Sequence, residues 1–134
     1  MNNNYIIIGD SITYGIGDLE SGGWAAMFKN YIVKKDDTKE CNNYVHVAGF
    51  PGATSTDILS KIDSILKSFK NDEFTNIVIL SIGVNDTQEF NGSQKNSIEQ
   101  YKINIEKIAK CVIDNGCYMI ILGLTRIESD EKFL

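Results

Sequence analysis

Seven segments follow one another along this chain in strict alternation, and their order constrains the fold more than any single motif does. Short apolar runs at residues 5–8, 44–48, 77–82 and 118–124 read as strands, and longer stretches at 24–33, 58–69 and 98–113 read as amphipathic helices. In the second helix, Ile58, Ile62, Ile65 and Phe69 fall on one stripe, with Thr54 and Asp57 at capping-box spacing in front. The third carries Ile98, Tyr101, Ile105, Ile108 and Val112, starts at Ser97 with Gln100 three residues on, and stops at Gly116. A β-α-β-α-β-α-β order predicts an α/β fold: a doubly wound parallel sheet with helices on both faces. Right-handed crossovers then place the ligand crevice at the carboxyl ends of the strands.

A chain of 134 residues that is 43% hydrophobic supports a single domain spanning 1–134 with no linker. Its formal net charge of −5, with lysines scattered among acids, argues against a nucleic-acid partner. Residues 1–5 carry no positive charge and the apolar run behind them is too short for a secretory core or a membrane span, so no membrane association and a cytoplasmic location are expected. Cys41, Cys111 and Cys117 are odd in number and lack CxxC spacing, which fits structural, reduced thiols rather than a disulfide framework or a metal site. No cofactor is implied. Gly15 and Gly17 do not make a phosphate cradle, because neither a Walker lysine nor a third fingerprint glycine follows.

Three loops at the predicted rim carry chemistry. Gly9-Asp10-Ser11 puts a hydroxyl on a glycine-flanked turn directly after the first strand. Gly49-Phe50-Pro51-Gly52 follows the second strand, and Gly83-Val84-Asn85-Asp86 follows the third. Glycine at position 52 permits unusual dihedrals and close backbone approach. Asn85 presents N–H groups where an aspartate would repel developing negative charge.

At these loops the chain resembles the SGNH subgroup of the GDSL esterase/lipase family, which has a flavodoxin-like fold and is named for four residues in four sequence blocks. Gly9-Asp10-Ser11 resembles the first block, Gly52 the second, and Gly83-Val84-Asn85-Asp86 the third. The resemblance implies hydrolysis of a small ester or thioester, with Ser11 as nucleophile. Ser11 N–H, Gly52 N–H and the Asn85 carboxamide would be the oxyanion donors, and Asp10 and Asp86 would orient their loops. The family's second-block Asn is replaced here by Val47 or a neighbour. Its last block, Asp-x-x-His before a closing helix, has no counterpart, so the chain reads as C-terminally truncated, lacking the family's last strand and helix. The sole imidazole, His46, alternates with Val45 and Val47 and is expected to point off the rim, leaving Ser11 without its usual base. The 118–124 strand would then be an apolar sheet edge able to recruit a second copy of the chain. Tyr14, Trp24 and Tyr31 read as packing residues. Two other readings stand beside the hydrolase: a flavodoxin-like module holding a phosphate or flavin at the Ser11 turn, and a catalytically dead interaction protein.

Overall fold

The computed structural model describes residues 2–36 and 42–124. In chain order the elements are β1 (Asn3–Gly9), α1 (Ser11–Tyr14), α2 (Trp24–Asp36), β2 (Tyr44–Gly49), α3 (Ser55–Phe69), β3 (Thr75–Ser81), a 3-10 turn (Asn85–Thr87), β4 (Glu89–Phe90), β5 (Ser93–Gln94), α4 (Ile98–Asp114) and β6 (Tyr118–Ile121). Four parallel strands stand in the order β2-β1-β3-β6, and β4 and β5 form a separate small hairpin. The chain steps from β1 to β2 on one side, then crosses back to β3 on the other. The direction in which successive strands are added therefore reverses between β1 and β3, and the crevice of such a sheet opens at that point, above Gly9 and Ser81.

Both faces of the sheet are covered, which explains why β1 is apolar without alternation. Ile6, Ile7 and Ile8 are all fully buried. Ile6 and Ile8 enter the core built with Ile58, Ile62 and Leu66 of α3 and with Ile108 and Val112 of α4. Ile7 faces the other way and joins Ala25 and Ile32 of α2.

Local signals set the helix ends. The Thr54 hydroxyl accepts from the Asp57 N–H at 3.3 Å while the Thr54 N–H donates to Asp57 Oδ2 at 2.8 Å, so α3 starts at Ser55, three residues before the first apolar residue of its stripe. The Ser97 hydroxyl accepts from the Gln100 N–H at 3.1 Å, and α4 ends just before Gly116, whose φ is +74°. Three features depart from expectation. The turn at Ser11 is a short helix, because Asp10 caps it; residues 89–94 form a hairpin; and Tyr14 and Tyr31 are each 61% exposed rather than packed. α1 packs through the Thr13 side chain and the Tyr14 backbone, and Tyr31 lies on the outer side of α2, with the Lys35 ammonium 5.8 Å over its ring. Trp24 does pack, against the α2 core.

At the opposite end of the sheet, buried Asn4 and Asn76 face each other in register. Asn4 Nδ2 donates to Asn76 Oδ1 at 2.8 Å and to the Phe69 carbonyl at 2.7 Å, and Asn76 Nδ2 donates to the Asn71 and Phe74 carbonyls at 2.8 and 3.1 Å. This clamp ties the end of α3 to the start of β3. Cys111 and Cys117 are free thiols, and burial foremost, then Asp63, pushes Cys111 up to about 11; Cys41 lies outside the described residues. Among the described residues no helix is long and apolar enough to cross a membrane.

Replacing Asn76 with Ala strands several buried polar groups at once and is expected to cost about 2 kcal/mol or more, read as a lowered urea midpoint at unchanged m-value. His46 supplies a second test. Its ring stacks on Phe69 at 4.7 Å, and burial foremost, with the Lys29 charge behind it, holds its pKa below 6.5. The unfolded chain therefore takes up this proton first, so stability is retained above about pH 6.5 and falls as pH drops below it. His46→Phe keeps an aromatic ring and is expected to flatten the urea stability curve as pH falls below that value.

Candidate active site

Ser11, Gly52 and Asn85 all lie beyond the carboxyl ends of the parallel strands, on the loops after β1, β2 and β3 respectively. Steric fit places the first. Asp10, 3% exposed, accepts the Ile12 N–H at 2.9 Å and so starts α1 at Ser11, where a helical backbone N–H has no intrahelical acceptor. The short helix lies directly across the strand ends. A Cβ on Gly9 would stand 2.1 Å from Thr13 Oγ1, and one on Gly49 would stand 2.6 Å from the Tyr14 nitrogen. No side chain fits at either position while α1 keeps this place. Thr13, 1% exposed, leaves its hydroxyl without a partner among the described residues.

The second loop is a tight turn. The Ala53 N–H donates to the Phe50 carbonyl at 3.0 Å, with Pro51 and Gly52 between them and Gly52 at φ +81°. That dihedral is what position i+2 of a type II turn requires. Space around the position is open, since a Cβ there would meet nothing within 4 Å. The Phe50 N–H also donates to the Gly9 carbonyl at 2.9 Å, which extends the sheet pairing and joins the second loop to the first.

Hydrogen bonds to buried groups join the second loop to the third. Asn85, 6% exposed, donates from Nδ2 to the Ala53 carbonyl at 3.0 Å, which commits one of its two N–H bonds. Asp86, 2% exposed, accepts from the Ser55 N–H at 2.9 Å, the Ser55 hydroxyl at 2.5 Å and Asn96 Nδ2 at 2.7 Å. Tyr101 stands beside this carboxylate and donates its hydroxyl to the Ile82 carbonyl at 3.0 Å. Burial, then the Asp86 charge, raises its pKa, so the phenol stays protonated.

Two clefts flank the third loop. One of about 190 Å³ lies between Asp10, Ile12, Trp24 and Leu122, and one of about 210 Å³ lies between Asp86, Ile98 and Tyr101; Val84 lines the first and Gly83 the second. His46 is away from both. It pairs in register with Ile6, three residues before the strand ends at Gly9 and Gly49, a rise of roughly 10 Å. Among the described residues no group of three or more His, Cys, Asp or Glu is placed to hold a metal ion.

The sequence reading missed Ser55 and Asn96, which donate to Asp86, and Asn104, which donates to Ser55. Asn104 had a signal: it sits three residues after Tyr101 and four before Ile108, on the buried stripe of α4, as a polar residue at an apolar position.

Solved structures of similar fold include several esterases. An SGNH-hydrolase family esterase, AlinE4, superposes with a TM-score of 0.70 at 17% identity, covering 92% of this chain and 60% of that one. TesA gives 0.70 at 21% identity, covering 90% and 60%. The psychrotrophic esterase EstA from Pseudoalteromonas sp. gives 0.66 at 20% identity, covering 88% and 57%. The chain thus spans about 60% of the length of the solved structures it resembles. No curated protein matches its sequence. Residues 7–129 match the GDSL-like Lipase/Acylhydrolase family, which takes in all three rim loops and nearly the whole chain. The chain belongs to that family.

Proposed function

We propose that this chain supplies the nucleophile and oxyanion donors of a serine acyl hydrolase that cleaves a small carboxylic ester or thioester. The observation that carries the reading is the Asn85 contact with Ala53, which holds a carboxamide with one N–H uncommitted against the residue that follows Gly52. In this reading the Ser11 hydroxyl attacks the ester carbonyl and the alcohol leaves from the tetrahedral intermediate. Water then releases the acyl group from the serine. The charge that develops on the carbonyl oxygen is met by the N–H groups of Ser11 and Gly52 and by the Asn85 amide. Loss of one such donor costs about 3 kcal/mol in comparable sites.

Serine is a weak nucleophile until a base takes its proton. The one imidazole of these 134 residues is His46, stacked on Phe69 below the rim. The base and its acid partner therefore come from outside this stretch, in a longer parent or another chain, and the 134-residue polypeptide alone retains only residual catalysis. With p-nitrophenyl acetate it is expected to turn over no faster than its Ser11→Ala variant. Robust serine-dependent turnover overturns this and returns His46 to consideration as the base.

We further place the chain in the cytoplasm, in keeping with its unpaired Cys111 and Cys117. A second copy is proposed to associate along β6. That strand pairs only with β3 among the described residues, and Tyr118, Ile120 and Leu122 beside it are 69%, 47% and 37% exposed. Light scattering at high concentration is expected to report a dimer, and a monodisperse monomer refutes the association.

A further inference from the structure

We propose that Asn104, in the middle of α4, is a positioning residue for the oxyanion donors and acts through Ser55. The inference rests on the reading of Gly52 and Asn85 as those donors. Two rungs join the loops that carry them: Asn85 to the Ala53 carbonyl, and Ser55 to the Asp86 carboxylate. The second rung depends on the direction of the Ser55 hydroxyl, which can donate only once. A carboxylate accepts and does not donate, so Ser55 must give its proton to Asp86. Its oxygen then needs a donor of its own, and Asn104 Nδ2 supplies one at 2.9 Å. The same amide nitrogen reaches Thr56 Oγ1 at 3.0 Å, and Asn104 Oδ1 accepts from Gln100 Nε2 at 2.9 Å.

The result is a one-way chain of donation: Gln100 to Asn104, Asn104 to Ser55, Ser55 to Asp86. Asn104 and Ser55 are 2% and 0% exposed, so water cannot replace a lost member, and each bond polarises the next. A nonpolar residue would fill this place on the α4 stripe as well for packing alone. The donor is needed because it fixes which way Ser55 points, hence the spacing of the two loops.

The test is amide hydrogen exchange and NMR on the 134-residue chain, which needs no turnover. Asn104→Leu keeps the bulk and removes the donor. It is expected to speed exchange at the Ala53 and Ser55 amides about tenfold and to shift the Asn85 side-chain amide resonances, while the Ile7 and Leu80 amides of the sheet keep their rates. Gln100→Ala, at an exposed position that folding does not depend on, is expected to act in the same direction by about twofold. Equal acceleration at all four amides assigns Asn104 a stability role only and overturns the proposal, as does unchanged exchange in both variants. Failure of the esterase reading appears instead as p-nitrophenyl acetate turnover that added imidazole raises no more in this chain than in Ser11→Ala, so the two outcomes are separate.

Discussion

The geometry of the rim depends on one buried carboxylate. Burying the Asp86 carboxylate takes it out of water, a cost that donors around it must offset. It remains at 2% exposure because three neighbouring groups donate to it, one of them the backbone N–H of the first residue of α3. That N–H belongs to the set every helix leaves unpaired at its start, where the helix dipole also favours negative charge. The same contact therefore solves two problems, an orphan donor and a buried anion. In doing so it fixes the loop after β3 against the start of α3, with Asn85 one residue away on one side and Gly52 three residues away on the other.

The Ser11 loop is held by a different force. Nothing polar reaches from α1 to the Asn85 loop among the hydrogen bonds of the described residues; its position comes from close packing on two strand ends that lack side chains, Gly9 and Gly49. Packing of this kind is unforgiving because interiors have few voids to absorb an added methyl group. The platform beneath is equally rigid: three consecutive isoleucines of β1, fully buried between helices on both faces. Steric fit thus sets Ser11, and hydrogen bonding sets Asn85. The Phe50 to Gly9 pairing joins the two parts.

The two outer strands of the sheet differ in character. On β2 the ring of His46 stacks on Phe69, and Tyr44 packs against Phe74 with centroids 4.8 Å apart, so aromatic groups shield that border. On β6, Tyr118 and Ile120 stand beside Ile77 and Ile79 in register, on the side that α2 covers elsewhere, yet both are largely exposed. A single helix on that face covers the strands nearest it and leaves β6 bare. Among the described residues this asymmetry sets β6 apart as the border that the proposed association would use.

The sequence by itself determined whatever near neighbours in the chain can decide. Helical spacing, the Thr54–Asp57 and Ser97–Gln100 caps, Pro51-Gly52 in a turn and the run of four strands all follow from contacts a few residues apart, and they place Ser11, Gly52 and Asn85 on one rim through the crossover rule. The family blocks were legible for the same reason, each being one short loop. Only the tertiary structure decided what holds those loops at their spacing, because the Asn104 contact with Ser55 joins residues 49 apart and that of Asn85 with Ala53 joins residues 32 apart. A polar residue on an apolar stripe marks such a partner, but which group it meets is fixed when two helices and a strand end pack together.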